Sequence, residues 1–370
     1  MVYTENMKIA VVYSLPTLRM KKTKYEGADE DTGLIAKKVA EGLGARGYET
    51  EVCPISEETI ESISEIEADC IFNLIEWCGL DIKLAERAFE VMRQRNIPIT
   101  GSSEDLFVLT GDKIRMKKAL NDLGVNTPWG VGVASVSDIP QDIPYPVIVK
   151  PHLEHCSIGL SSDVVVNNRP ELERVVKRQI EEFEQDVLIE EFIAGRELLV
   201  YLVEERGEAI ILPVVEMLFE GGNPMSFQTY DAKWSEGSVD YNQTYYDQAE
   251  LTRKERGLLE KNCLTAFNCM GFWGYARFDV RVRDGISYIL ETNANPSVYD
   301  ATEEMESIES EVIEGIKFPD YLDKIVKAAI WHYEKSDRVW EWFTQDKNIW
   351  AILFMSVLFK YGPMGRQSIS

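Results

Sequence analysis

The chain has 370 residues and 45% hydrophobic content, enough for two or three domains with cores of their own. Acidic residues outnumber basic ones 63 to 39, giving a formal net charge of −24. That balance argues against non-specific binding to nucleic acid or to anionic membrane surfaces, so any anionic ligand needs a local cluster of cations.

The N-terminus, "MVYTENMKIAVVYS", is an acidic and polar lead into a strand, without the basic start and apolar core of a signal peptide. "KIAVVYS" reads as a buried strand, and "DTGLIAKKVAEGLGARGY" as an amphipathic helix closed by glycine. "ETEVCPI" and "ADCIFNLIE" are further strands, "KLAERAFEVMRQRN" a helix and "IPITGS" a short strand. This alternation predicts a small parallel α/β layer over residues 1–102. A second unit, 103–186, holds the helix "GDKIRMKKALNDLG", the strands "YPVIVKP" and "SSDVVVNN", and the charged helix "RPELERVVKRQIEEF". A third, antiparallel α+β unit spans 187–330, and a Trp-rich tail fills 331–370. The apolar run Ile349 to Phe359 is far short of the roughly 20 residues that span a bilayer, so it predicts a packing or homodimer helix. The six cysteines show no CxxC spacing and the three histidines no zinc pattern. Reduced, buried thiols in a cytoplasmic protein are expected.

The stretch "YARFDVRVRDGISYILETNANPS" is two alternating runs around Asp-Gly. A three-residue loop, Arg283-Asp284-Gly285, would pair Arg277 with Glu291 and Asp279 with Ile289. Phe278, Val280, Val282, Ile286, Tyr288 and Leu290 would then form one apolar face. A two-residue loop would set Glu291 against the apolar set. In the favoured register Arg277, Asp279 and Glu291 share a face, with Asn293 two steps beyond. Such an oxygen-rich set suits Mg²⁺, and it equally suits an exposed sheet face with scattered charge. Lys150 ends a strand before a Ser157–Gly159 turn whose backbone N–H groups could cradle phosphate. Lys113 starts a helix, and Lys233 lies in a long polar, aromatic loop, "MSFQTYDAKWSEG", of the kind that forms lids. In "VLIEEFIAGREL", a strand carrying Glu190 and Glu191, then Phe192 and Ile193, could present backbone N–H and C=O to a purine edge, and Glu197 could bind ribose hydroxyls. An ordinary solvent-facing hairpin is the alternative.

Taken in order, "DKIRMKKAL", "VIVKPHLEHCSIGLS", "VLIEEFIAGREL", "YDAKW" and "RFDV…YILETNANP" resemble the ATP-grasp fold, in its D-alanine–D-alanine ligase branch, over about Met7 to Ala329. The resemblance implies an N-terminal parallel α/β domain and two ATP-clamping subdomains. It implies that Lys113 and Lys150 hold ATP phosphates beneath the Ser157 and Gly159 turn. Glu190, Phe192 and Ile193 would form the adenine hinge, Glu197 would bind ribose and Lys233 would reach the terminal phosphate. Asp279, Glu291 and Asn293 would bind two Mg²⁺ ions, Mn²⁺ being an alternative, and Arg277 would steady an oxyanion. The implied reaction is ATP-dependent ligation of a small-molecule carboxylate to an amine through an acyl phosphate, releasing ADP and phosphate. No nucleic-acid partner and no membrane span are expected. The second reading is a non-catalytic ATP-binding module of the same fold serving regulation or assembly.

Departures from the family pattern gather on the substrate side. The family holds the first substrate's amino group with a glutamate, a serine and a tyrosine. Here "YSLPTLRMKK" offers no glutamate, Cys156 stands at the serine position and Trp234 at the tyrosine position. "NLIEWCG" and "NPSVYDA" replace two further family motifs, and Arg281 stands where a methionine usually underlies the purine. Glu76, Trp77, His152, His155, Tyr299 and Asp300 are candidates for reading a different substrate.

Overall fold

The computed structural model describes residues 7–25, 32–235, 237–298 and 316–345. Three sheets organise them. The first is parallel, with strands β1 (Lys8–Ser14), β2 (Glu49–Ile55) and β3 (Cys70–Leu74) in the order β2-β1-β3. Helix α1 (Thr32–Gly44) supplies the crossover from β1 to β2 and a short 3-10 helix, Ile60–Glu65, that from β2 to β3, while α2 (Ile82–Gln94) follows β3. Both strands flanking β1 run parallel to it, which requires such crossovers rather than tight turns. The predicted strand over "IPITGS" is reduced to a single bridge between Ile71 and Ile99.

Helices α3 (Glu104–Gly111) and α4 (Lys113–Asp122) follow, each opened by a side-chain cap, from Ser103 and Asp112 respectively. The middle sheet contains β4 (Gly130–Val133), β5 (Val147–Pro151), β6 (Val165–Val166) and β7 (Val187–Glu191), in the order β4-β7-β5-β6 and backed by α5 (Arg169–Phe183). Sequence pattern groups 187–191 with the following unit. The structure instead pairs β7 with β4 and β5. The hairpin alternative for "VLIEEFIAGREL" fails for the same reason, because the next strand belongs to another sheet. An apolar run bounded by Ala-Gly does not encode which neighbour will complete its hydrogen bonds.

The third sheet is antiparallel and has six strands: β8 (Arg196–Glu205), β9 (Glu208–Ile211), β10 (Val215–Phe219), β11 (Thr244–Gln248), β12 (Tyr275–Arg283) and β13 (Ile286–Asn293). Between β10 and β11 lie the short helices α6 (Tyr230–Trp234) and α7 (Val239–Asn242). The predicted loop around Lys233 is therefore partly helical. Thr229 caps α6 by accepting from the Ala232 N–H, a local signal that a polar loop easily hides. Helix α8 (Arg253–Met270) opens with a capping box formed by Thr252 and Glu255.

A long helix, α9 (Phe318–Gln345), closes the described chain, and position 330 lies inside it. Among the described residues no helix is long and apolar enough to cross a membrane. The run Ile349 to Phe359 lies outside the described residues, as do Tyr299 and Asp300.

The hairpin β12–β13 differs from the expected register. Asp284 and Gly285, both with positive φ (53° and 74°), make a two-residue turn, pairing Arg283 with Ile286 and Val280 with Ile289. A bulge then skips Leu290, so that Asp279 pairs with Glu291 and Arg277 with Asn293. The buried face is accordingly Phe278, Val280, Val282, Ser287 and Ile289, while Ile286 is exposed. The bulge resets the alternation that would otherwise have buried Glu291.

Strand β8 is apolar on both faces. Leu199, Tyr201 and Val203 join a core built from β1, α1, β3 and α9, whereas Leu198, Val200 and Leu202 join a core with α8. Helix α9 is tied to the N-terminal unit by the Tyr48 hydroxyl, which donates to Asp323 (2.7 Å), and by Leu322, fully buried in the first core. Leu322→Ala should lower unfolding stability by about 2–5 kcal/mol. The check is the shift in midpoint of urea-induced unfolding.

Candidate active site

One cleft is lined by strands of the second and third sheets and by N-terminal residues that lie outside the first sheet's strands, among them Thr32 and Glu76. It opens beyond the carboxyl end of β3, where Glu76 and Cys78 follow the strand, as ligand sites in parallel sheets commonly do. Of the residues expected to act, Lys113, Lys150, Ser157, Glu190, Phe192, Ile193, Glu197, Lys233, Arg277, Asp279, Glu291 and Asn293 all line it. Gly159 does not. It sits behind the turn with φ of 80°, where an added Cβ would come within 2.8 Å of Pro151 and 2.9 Å of the Phe183 ring. Its carbonyl accepts from the Gln179 side chain at 2.7 Å. Cys156 and Ser157 just before it also take positive φ (55° and 59°), a costly pair for residues with side chains and of the kind found at ligand-binding turns.

The acidic face is built by the bulged hairpin. Asp279 and Glu291 stand directly opposite each other on neighbouring strands, and Asn293 donates to the Arg277 carbonyl at 3.2 Å. Two like charges across a strand pair repel, so cations gather there. Arg277 pairs with Asp279 through two nitrogens at 2.8 and 3.1 Å. Lys113 lies 3.3 Å and His155 2.6 Å from Glu291. Burial alone would raise the Glu291 pKa, but Lys113 and then His155 hold it well below the ordinary carboxylate range. Lys113 also donates to the Glu154 carbonyl. His155, marked in the sequence only as a substrate-side candidate, is in fact placed on this acid.

Lys150, also in the lining, pairs with Glu190 at 2.7 Å. The Glu190 carboxylate is almost fully buried, and its second oxygen lies 2.6 Å from Lys117. Sequence reading placed Glu190 in a hinge whose backbone could meet a purine edge and gave Lys117 no role. The signal for Lys117 was present, because it falls four residues after Lys113 on one helix and so on the same side. Burial raises the Glu197 pKa, with Arg281 opposing from 3.8 Å. Arg281 stacks over Phe192 (4.8 Å) and donates to the Gly195 and Ser226 carbonyls, bracing the connection between the middle and third sheets.

A clasp closes one end of the cleft. The Trp234 indole N–H donates to the Cys156 carbonyl at 2.9 Å, and the Lys233 ammonium lies 5.1 Å from the same indole ring. Tyr25, from the loop after β1, stacks on Phe183 (5.7 Å) and meets Tyr230 edge-on (4.9 Å), while Met20 packs beside them. Three segments from three units thus meet over the phosphate-type turn. His152 instead points away from the cleft and engages the Asp186 carbonyl (2.8 Å). Trp77 is buried, donating to the Leu15 carbonyl (2.9 Å).

The sequence also matches a family model described as "D-ala D-ala ligase C-terminus" over residues 131–327. A D-alanine–D-alanine ligase of Methylacidiphilum infernorum is 30% identical over 295 residues, covering 80% of this chain and 89% of the relative. One from Haemophilus ducreyi is 27% identical over 332 residues, covering 88% and 99%. The solved structure of the Bacillus anthracis D-alanine–D-alanine ligase complexed with ATP superposes with a TM-score of 0.67 at 20% identity, covering 89% of this chain and 99% of that one, a likeness of fold.

Gly159→Ala forces a side chain into a left-handed position already crowded by Pro151 and Phe183. It should lower stability by about 1–3 kcal/mol, to be read as a fall in thermal unfolding midpoint.

Proposed function

Because the chain belongs to the D-alanine–D-alanine ligase family, we propose that this cleft is where an amino-acid or peptide-like carboxylate is activated and joined to an amine. The chain is an ATP-dependent carboxylate–amine ligase of ATP-grasp fold. In such a reaction a carboxylate oxygen takes the terminal phosphoryl group and ADP leaves. The amine nitrogen then attacks the acyl carbon, the bond from carbon to the phosphate oxygen breaks, and the nitrogen gives up its proton.

Residue roles follow from position. Lys113 and Lys150 both line the cleft and would hold the phosphate chain, with the Ser157 turn beside them. Phe192 and Ile193, both buried, would wall the base, and Glu197 would accept from ribose hydroxyls. Glu190 contributes by fixing Lys150 instead of offering a free carboxylate. Lys233 would meet the terminal phosphate from the lid helix, and Arg277 would stabilise oxyanion charge at the acyl carbon.

The donor set fits a hard cation, since Asp279, Glu291 and Asn293 present oxygens from adjacent strands and Glu291 is held ionised. Bound there, Mg²⁺ would spread the phosphate charge. The protein's own share of the work is positioning and charge neutralisation.

Residues 1–102 serve as the substrate-side unit in this reading, with the clamping subdomains meeting at Phe192–Gly195. On that side Trp234 and Cys156 engage each other, and Glu76 is the carboxylate the N-terminal unit brings to the cleft, 3.4 Å from the Thr32 hydroxyl. This supports an amino-acid or peptide-like substrate held differently from the D-alanine named for the relatives. Partners are small molecules, and six free thiols suit a cytoplasmic location.

The observation carrying the reading is the acid pair Asp279 and Glu291 facing Lys113 and Lys150 within one cleft. Incubation with Mg²⁺, ATP and a mixed pool of amino acids and dipeptides should release ADP and phosphate and yield ligated mass-spectrometric products. Silence across that pool would overturn it. Arg277→Met should lower kcat about 100- to 1000-fold while ADP affinity stays within about threefold, measured by coupled ADP release and calorimetric titration.

A further inference from the structure

Lys117 is one of the most buried cations in the molecule, and none of the roles above uses it. Its ammonium lies 2.6 Å from one Glu190 oxygen and 2.8 Å from the Thr127 hydroxyl, while Lys150 takes the other Glu190 oxygen at 2.7 Å. The relative exposures of the three side chains are 5% (Lys117), 2% (Glu190) and 12% (Lys150), and of the two lysines only Lys150 lines the cleft.

The fold makes room for this arrangement. Gly130 pairs with Glu190 across β4 and β7, and a Cβ there would come within 2.8 Å of Lys117 Cε. A glycine inside a strand weakens it unless another group must approach the backbone closely, and here the lysine stem does.

With one lysine, a buried carboxylate would form a closed neutral pair and leave its second oxygen without a partner. With two, the carboxylate is shared and the group keeps a net positive charge, displayed at its exposed end. We infer that Lys117 is a positioning residue: it holds Glu190 so that Lys150 presents undiminished charge to the phosphates of a nucleotide. The inference rests on Lys150 being a phosphate-binding lysine, as proposed above.

The test is calorimetric binding of Mg·ADP and of adenosine to the wild-type chain and to Lys117→Met. Wild-type binding of ADP checks the parent reading by itself. Given that, Lys117→Met should weaken ADP about tenfold or more and leave adenosine within about twofold. An unchanged ADP affinity would overturn the inference. So would parallel losses for ADP and adenosine, which mark a merely structural lysine. If Lys117→Met does not fold, Gly130→Ala, which crowds the same stem, carries the same comparison with the same two outcomes.

Discussion

Two carboxylates facing each other across a strand pair would repel, and the cleft is organised around that repulsion. Asp279 and Glu291 are fixed by backbone hydrogen bonding, so their charges cannot drift apart. Partners must come to them: the cations Arg277 from the same strand and Lys113 from the start of α4, and the His155 ring from the turn after β5. Each arrives from a different part of the chain, and bringing them together sets how the sheets approach. Glu190 repeats the idea with inverted sign, one carboxylate between two lysines. A protein with strong negative net charge thereby brings Lys113, Lys150, Lys233, Arg277 and Arg281 into one cleft, interleaved with its carboxylates.

Much of this was legible in the sequence because it depends on short-range rules. Strands β1 and β2 and helix α5 fall where periodicity and capping put them, with Asn168 and Pro170 marking the start of α5. Arg277, Asp279, Glu291 and Asn293 were grouped on one face from alternation alone. The grouping survives even though the register does not, because the bulge at Leu290 and the two-residue turn shift the pairing in compensating ways. A bulge leaves no clear mark in a run of apolar residues. The sheet to which β7 belongs was illegible for a related reason: its partners β4 and β5 are distant in sequence, and only packing selects them.

Polar residues are hard to read where their partners are non-local. Glu190 reads as part of a hinge whose backbone meets a ligand, and nothing near it in sequence shows what neutralises its carboxylate. Its two lysines come from α4 and β5. His152 and Trp77 drew attention as rare residue types near motifs, yet each is satisfied by a backbone carbonyl. Trp234 and Cys156, two departures from a family pattern at separate positions, lie side by side, the indole N–H donating to the Cys156 backbone carbonyl.

Strand β8 is a party wall, with α9 against one face and α8 against the other, and the N-terminal layer closes over the far side of α9. Severing the first hundred residues would uncover the α9 surface around Leu322, which meets Gly42 of α1, and turn an interior into an adhesive outer skin. The nucleotide-clamping half, for all its motif-level autonomy, is therefore no free-standing module. Its solubility is on loan from the layer that precedes it.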